Sequence, residues 1–434
     1  MPGRIAEVGL VTALAALITV LLAVPVLRAP SERVFGAEIV GRHHDPFTVM
    51  QQFERPISMG IHAQPITDVP GALLARALGG VAAYNWLVLI SFPLTAAASY
   101  LLARYLMLSP AGAAVAALAC AFSPFHLTHA AYHPHIAQIQ WLPLYLLALW
   151  RCLDFATLGA VAALGAAVVG VTLSNYYGGL IAAVISPVAV AAYWMATRRF
   201  GAQPLKRLGI TGGALLLMAT AGAAYAWWTA SGVIGDLEAL AFPRLDLFRY
   251  GAKWWSYLVP PVEHPLLGSA VARFWAATGD GQALLEQQVS LGWGVMALGV
   301  VAIVSWWVNV RPAASLVRVP ILVAVAVAAL VCSLSPERTI ETLAVGPPSA
   351  FLYDLLPMFR SYARFGVVVQ LMAAVLAGIG VDVLMRSGTR RAKMVCVGLI
   401  ALAAAEYAVL PSALWRDVLP TAAHRWARAA SHAM

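Results

Sequence analysis

The first apolar run of the chain, residues 8–26, reads VGLVTALAALITVLLAVPV and contains no charged side chain. About 20 such residues are enough for a helix to cross the hydrocarbon layer of a membrane. The rest of the chain continues this pattern: its 434 residues are 61% hydrophobic and only 11% charged, whereas soluble domains are about half apolar and a quarter charged. The composition therefore predicts a polytopic membrane protein and excludes a soluble enzyme.

Similar apolar runs recur along the chain and predict an all-α polytopic membrane protein with about eleven transmembrane helices. The predicted spans are residues 8–26, 79–102, 112–128, 136–149, 158–173, 179–195, 210–228, 290–308, 320–331, 365–384 and 395–410. The fourth and ninth are short enough to be tilted or partly re-entrant. The first lacks the small-residue cleavage site of a signal peptide, so we expect a retained signal anchor.

The spans predict one transmembrane domain over residues 1–434, without a separate soluble domain. Two stretches between spans are long enough to form sizeable outer regions. They are a first outer loop, residues 28–78, and a second large outer segment, residues 229–289, and we expect short amphipathic helices in both.

Charge decides the predicted orientation, because short cytoplasmic loops of membrane proteins are enriched in lysine and arginine. With the N-terminus inside, the inner loops carry thirteen basic residues against three acidic ones, and the outer segments carry fifteen of each. We therefore expect a multi-pass protein of the cell (inner) membrane with a cytoplasmic N-terminus and an outer C-terminus. The net charge of +9 follows from this topology. The sequence lacks basic runs interleaved with aromatic residues, the pattern that would indicate nucleic acid binding.

All ten histidines fall on the predicted outer side, and two of them precede an aspartate in the first outer loop, where residues 41–46 read GRHHDP. Pro46 favours an extended conformation at Asp45, which presents the carboxylate from a loop. A carboxylate beside His44 suits a general base whose pKa is tuned by its neighbours. The alternative is an Asx-Pro turn or the cap of a short helix that begins near residue 47.

A second group of histidines follows the third span, where residues 126–135 read HLTHAAYHPH. If the helix continues, His126, His129 and His133 share one face. Three readings remain open: a divalent metal site, hydrogen bonds to a phosphate or substrate, and a structural polar rim at the membrane surface. The spacing is not HExxH and includes no carboxylate, so no cofactor or metal is predicted firmly.

Tyrosines close the fifth span, where residues 174–178 read SNYYG. Tyrosine is common at membrane interfaces, so Tyr176 and Tyr177 suit an aromatic belt. Their ring faces and hydroxyls also suit contact with a sugar or a lipid phosphate, and this alternative stays open.

Basic residues on the predicted outer side suggest anion binding, because the positive-inside rule does not account for them. In the second outer segment, Arg249, Lys253 and His264 lie among tryptophans and tyrosines, a pattern typical of an amphipathic element in the headgroup plane. Arg360 and Arg364 precede the tenth span and match the geometry of a phosphate. An ion pair with an outer carboxylate, such as Asp354, is the alternative for these two arginines.

Six groups of residues on the predicted outer side, in this order along the chain, carry a family resemblance. They are residues 44–46, 121–126, 140–144, 174–177, 257–261 together with 264–268, and 359–365. Up to about residue 385 the chain resembles the GT-C-type membrane glycosyltransferases of the polyprenyl-phosphate-sugar-dependent superfamily, particularly poorly characterised bacterial members. The resemblance implies a GT-C fold, a lipid-linked sugar donor and chemistry at the outer face, with Asp45 in the place of the family's first-loop acid.

The resulting hypothesis is a glycosyltransferase in which Asp45 takes a proton from an acceptor hydroxyl. Arg360 or Arg364, with Lys253 or Arg249 and the predicted histidine face, would stabilise the departing lipid phosphate. The expected partners are a lipid-linked sugar donor, membrane lipids and envelope-assembly proteins. Two alternatives remain: a transporter or flippase for a lipid-linked sugar, and a non-catalytic subunit of an envelope-assembly complex.

Overall fold

The structure is a computed structural model that describes residues 2–36, 49–50, 53, 64–197, 204–231, 241–279, 283–308, 316–335 and 348–418. Over these residues the chain is an all-α polytopic membrane protein, as predicted. Seven of the described helical stretches are long and apolar enough to cross a membrane, and two shorter apolar helices add to them.

The helices are numbered here in chain order. They are α1 (Pro2–Leu22), α2 (Val24–Leu27), α3 (Pro65–Leu78), α4 (Gly80–Tyr105), α5 (Pro110–Ala121), α6 (Pro124–Tyr132), α7 (Trp141–Phe155), α8 (Leu158–Ser174), α9 (Tyr176–Thr197), α10 (Pro204–Ser231), α11 (Leu245–Tyr250), α12 (Gly268–Thr278), α13 (Trp293–Val308), α14 (Val319–Ser333), α15 (Pro348–Leu355), α16 (Gly366–Arg386) and α17 (Arg390–Glu406). Each of the eleven predicted spans corresponds to one of these helices or to an adjacent pair.

The third predicted span is a pair of helices, α5 and α6, because the chain breaks at residues 122–123. The hydroxyl of Ser123 accepts a hydrogen bond from the backbone N–H of His126 at 3.3 Å and caps the new helix. Pro124 occupies the first position of α6, where its missing N–H costs nothing. The fourth span starts later than predicted, at Trp141, because residues 134–137 form a turn.

Close helix crossings surround α16, the most buried of the described spans. A side chain on Gly380 would collide with the carbonyl oxygen of Leu298 in α13, and one on Gly378 would collide with the carbonyl oxygen of Gly112 in α5. Small residues at such crossings allow two helix backbones to approach closely. In lipid, the resulting van der Waals packing stabilises the helix pair, because the hydrophobic effect does not drive helices together there. The two crossings place α16 between α5 and α13.

The acidic residues predicted on the inner side all have partners near one end of the bundle. Glu7 bonds Arg104 at 3.1 Å, Asp154 bonds the Tyr193 hydroxyl at 2.7 Å, and Asp382 bonds the Ser109 N–H at 2.8 Å. These contacts satisfy the carboxylates, which are costly to bury without partners.

The opposite end carries a small sheet that joins distant parts of the chain. Strand β1 (Arg33–Phe35) pairs antiparallel with β2 (Trp415–Asp417), and the Arg33 Nε lies 3.3 Å from Asp417 Oδ1. One strand follows the first predicted span and the other follows the eleventh. Ten predicted spans lie between them, and an even number agrees with their pairing at one end of the bundle.

Glu406, which the sequence places inside the last span, is the last residue of α17. Its two carboxylate oxygens accept hydrogen bonds from the backbone N–H groups of Trp293 and Gly294, each at 2.9 Å. A negative charge at the start of a helix satisfies free N–H groups and is favoured by the helix dipole. Glu406 therefore caps α13.

Candidate functional site

A cavity that opens to solvent lies where α8 ends and α7, α9 and α16 begin, with about 390 Å³ of empty space that includes its open mouth. Most of its lining is apolar and comes from these helix ends, with Phe125, Ile139, Leu142, Val171, Ile181 and Val367 among the lining residues. Its polar lining consists of Gln138, Ser174, Asn175, Tyr177 and Arg364. The cavity therefore combines a hydrocarbon-like wall with polar groups that include one cation.

The turn between α8 and α9 positions the tyrosines of the SNYYG stretch. Asn175 leaves the helix in an extended conformation, and its side-chain oxygen accepts a hydrogen bond from the Tyr177 N–H at 3.0 Å. An asparagine in this place caps the following helix. The Tyr176 N–H donates to the side-chain oxygen of Gln64 at 3.3 Å, which connects the turn to the start of α3.

Tyr177 joins the turn between α8 and α9 to residues 360–364, which precede α16. Its phenol oxygen accepts hydrogen bonds from the N–H groups of Arg360 at 3.1 Å and Ser361 at 3.2 Å. The guanidinium of Arg364 lies 4.3 Å above the Tyr177 ring, a cation–π contact. The structure thus brings together two candidate stretches that are more than 180 positions apart in the chain.

Arg364 is held by a carboxylate that the sequence reasoning missed. Its Nη2 lies 2.6 Å and its Nε 3.0 Å from Oε1 of Glu286, and both side chains are about nine-tenths buried. Arg364 therefore forms the ion pair that the sequence left open as an alternative, but its partner is Glu286 and not Asp354. Asp354 pairs with Arg244 at 3.0 Å. In the sequence, Glu286 is distinguished only by its position, four residues before the eighth apolar run.

Arg360 and Arg249 converge on another carboxylate at the rim. The Arg360 Nη1 lies 3.0 Å from Asp246 Oδ2, and the Arg249 Nη1 lies 4.0 Å from Asp246 Oδ1. The Arg360 guanidinium also lies over the rings of Phe242 and Tyr250, at 4.3 and 4.9 Å. Two cations on one buried carboxylate leave this rim net positive.

The three predicted histidines do not share one set of partners. The ring nitrogens of His126 contact Ser91 Oγ at 2.9 Å and the carbonyl oxygen of Ala121 at 2.7 Å, inside the bundle. His129 and His133 are neighbours, with their Nδ1 atoms 3.2 Å apart. His133 is the C-terminal cap of α6, which ends at residue 132. Across the described residues, no group of three or more histidine, cysteine, aspartate or glutamate side chains is placed to hold a metal ion.

His129 lies beside the ion pair, with its Nε2 4.0 Å from Oε2 of Glu286. Both side chains are almost completely buried. The buried polar groups therefore run from Arg364 through Glu286 and His129 to the half-buried His133.

Lys253 and His264 hold the second outer segment in place. The Lys253 Nζ donates to the carbonyl oxygen of Phe248 at 3.2 Å, and the side chain is buried. His264 Nδ1 accepts two backbone N–H groups, from residues 266 and 267, so its proton is on Nε2, which donates to the carbonyl oxygen of Ala405 at 3.1 Å. These contacts tie the segment to the end of α17.

A second cavity, with about 310 Å³ of empty space that includes its open mouth, lies between α6, the second outer segment and residues 407–414 after α17. Its lining includes Glu263, whose buried Oε1 has no hydrogen-bond partner among the described residues. Burial disfavours the charged carboxylate and raises the pKa of Glu263 to about 7.

Asp45 and His44, the predicted base and its neighbour, lie outside the described residues. Their roles stay predictions, as do those of the candidate residues located above.

The chain matches one protein-family model and is distantly similar to two solved structures. No curated protein matches the chain. Two crystal structures of ArnT from Cupriavidus metallidurans are similar to it. The one bound to undecaprenyl phosphate has a TM-score of 0.40 and 14% identity and covers 88% of this chain and 78% of that chain. The apo structure has a TM-score of 0.37 and 15% identity, with 88% and 80% covered.

The family model described as a domain of unknown function, DUF6311, matches residues 43–408, most of the chain, and the protein therefore belongs to the DUF6311 family.

Proposed function

We propose that the protein is a membrane glycosyltransferase that moves a sugar from a polyprenyl-phosphate donor to an acceptor hydroxyl at the outer face of the cell membrane. The observation that carries the proposal is the cavity at the helix ends, in which an apolar wall meets the guanidinium of Arg364. A polyprenyl phosphate has the same two-part chemistry, a hydrocarbon chain and an anionic head. The resemblance of the sequence motifs to GT-C enzymes supports the same class of substrate.

Arg364 suits the phosphate because a guanidinium offers a planar fork of donors to an oxyanion. In the absence of a substrate, Glu286 satisfies this fork, as a buried cation requires. An entering phosphate competes with Glu286 for the same donors. The positive rim formed by Arg360 and Arg249 around Asp246 adds long-range attraction for the anion.

In the proposed reaction, the acceptor oxygen forms a bond to the anomeric carbon of the sugar while the bond from that carbon to the phosphate oxygen breaks. The electron pair of the broken bond leaves with the polyprenyl phosphate, whose charge the arginines stabilise. The acceptor proton goes to a general base, for which the sequence predicts Asp45.

The first test is binding of undecaprenyl phosphate to the purified protein in detergent, with phosphatidylglycerol as the comparison lipid. Arg364→Lys removes the planar fork but keeps the charge, and we expect binding of undecaprenyl phosphate to weaken at least tenfold. Arg33→Lys is the matched control, because Arg33 forms an exposed ion pair in the β1–β2 sheet. Equal binding by Arg364→Lys and the wild type would contradict the proposed site.

The second test separates transfer from transport. The protein is incubated with a set of polyprenyl-phosphate monosaccharides and envelope extracts that contain acceptors. A transferase releases polyprenyl phosphate in proportion to the sugar that appears on the acceptor. A flippase in sealed vesicles moves the labelled lipid between leaflets without this release, and that result would overturn the proposal.

A further inference from the structure

A carboxylate–histidine pair lies outside the groups described above. Oδ1 of Asp68 and Nε2 of His135 are 2.6 Å apart, and the two side chains are 13% and 12% exposed. This is a short, charge-assisted contact that solvent still reaches.

The local structure holds both partners in place. Asp68 lies in the first turn of α3, where its Oδ2 accepts a hydrogen bond from the Gln64 N–H and so caps the helix. His135 lies in the turn after Pro134, and its carbonyl oxygen accepts from the Gln138 N–H at 3.2 Å. One carboxylate therefore fixes the helix start and also orients the imidazole.

The pairing decides which nitrogen of His135 carries a proton. An ionised carboxylate only accepts hydrogen bonds, so the Nε2 of His135 donates to Asp68, and in the neutral imidazole the Nδ1 then carries the lone pair. Within the described part of the chain, His135 makes no hydrogen bond through its Nδ1. A carboxylate that orients a histidine in this way prepares its other nitrogen to accept a proton or a hydrogen bond.

Residues next to the pair in the chain line the first cavity. Ile136 and Gln138, from the same turn as His135, line that cavity. Next to Asp68, the hydroxyl of Thr67 donates to the carbonyl oxygen of Ser174 at 2.9 Å, and Ser174 also lines the cavity. The pair is thus built into the segments that form the cavity rim.

The two polar features of this region suit different chemical groups. Arg364 offers only donors and suits a phosphate. The Nδ1 of His135 offers a lone pair, which repels an anion but accepts a hydrogen bond from a hydroxyl. A polyprenyl-phosphate sugar contains both groups, a phosphate and, next to it, a sugar with several hydroxyls.

We propose that His135, oriented by Asp68, binds a hydroxyl group of the sugar carried by the lipid phosphate. Asp68 is a positioning residue in this site, since it acts through the histidine. The inference rests on the proposed function and adds to it a part of the site that distinguishes a sugar-bearing lipid from the bare lipid phosphate.

The experiment compares the affinity for a polyprenyl-phosphate monosaccharide with the affinity for undecaprenyl phosphate, using a set of hexose and pentose donors. A neutral hydrogen bond contributes about three- to tenfold in affinity. For the sugar that the wild type prefers, we expect His135→Leu to lose this preference while its affinity for undecaprenyl phosphate stays unchanged. His135→Gln, whose amide still offers an acceptor oxygen, should retain part of the preference, and Asp68→Asn should weaken it.

Two further measurements keep the proposal open to refutation. If His135→Leu fails to fold because it leaves the Asp68 charge unpaired, the double variant Asp68→Asn/His135→Leu replaces it. Asp417→Asn, which breaks an exposed ion pair at the same end of the bundle, is the control. An unchanged sugar preference in the folded His135 variants overturns the inference. A wild type that binds neither lipid overturns the proposed function instead.

Discussion

Arg364 and Glu286 form a buried ion pair, 78 positions apart in the chain, in which the Nη2 of the arginine lies 2.6 Å from Oε1 of the glutamate. Arg364 lines the wall of a largely apolar cavity, and His129 lies 4.0 Å from the other side of Glu286. A buried pair of this kind contributes little net stability when intact, but the loss of one partner leaves an uncompensated charge. An anion that takes over the donors of Arg364 therefore has to offset the uncompensated charge left on Glu286.

Glu286→Gln should lower the stability of the protein and strengthen its binding of lipid phosphate. Removing one partner of a buried ion pair costs about 3–5 kcal/mol, so we expect a lower midpoint of thermal unfolding in detergent. Undecaprenyl phosphate should bind more tightly, since no carboxylate competes for Arg364, and should recover part of the lost stability. Asp417→Asn, in an exposed pair, should change stability by about 1 kcal/mol or less. Weaker lipid-phosphate binding by Glu286→Gln would contradict competition between the two anions.

Asp45→Asn should nearly abolish sugar transfer while the protein remains in the membrane. A well-placed general base contributes about 10²–10⁴-fold to a rate, and asparagine cannot take the proton. The measurement is product formation from the preferred lipid-linked sugar, with membrane content checked by quantitative blotting. Normal glycan output from the variant would remove Asp45 from the mechanism and would favour the non-catalytic alternative.

Glu263 should make the protein less stable as the pH rises. Burial raises the pKa of Glu263 to about 7, from 4.5 for the free group. The folded state therefore binds the proton more strongly than the unfolded state, so stability falls between pH 4.5 and 7 and levels off above. The fall amounts to about 3 kcal/mol.

Glu263→Gln removes this ionisation. Relative to the wild type, the variant should gain about 3 kcal/mol at pH 8 compared with pH 4.5, measured as the difference between the two unfolding curves. Parallel pH dependences for the two proteins would show that the carboxyl group is not held in its neutral form.

Gly380→Ala should be strongly destabilising, because the new methyl group would collide with the Leu298 carbonyl oxygen where α13 crosses α16. Overpacking of a tight contact typically costs about 1–3 kcal/mol. Gly398→Ala in α17 is the control, since a side chain there meets nothing within 4 Å and alanine favours the helix. Equal unfolding midpoints for the two variants would argue against the close crossing.

The helices were predictable because their signals are local. An uncharged run such as residues 8–26 indicates a helix by its length and hydropathy alone, since lipid leaves the backbone no other partners. Where the prediction failed in detail, as at Ser123 and Pro124, the residues that start the new helix are also local signals, and they were present in the sequence.

The candidate site was predictable only in part. The sequence indicated Tyr177, Arg360 and Arg364 by residue type and predicted side, and the structure shows that the first contacts the other two. It missed Glu286, and it grouped His126 with His129 and His133 by helical spacing. Spacing states which residues share a face, but the end of α6 and the packing of His126 against Ser91 decide which of them meet.

The sequence by itself determined the membrane-spanning architecture, because the thickness of the bilayer and the hydropathy of each run act on residues that are neighbours in the chain. Only the tertiary structure decided the partners of the charged groups: Glu286 for Arg364, Asp246 for Arg360 and Asp68 for His135. The physical reason is that a buried charge must find a partner in space, and many carboxylates on the same side satisfy that requirement equally well until the helices are packed.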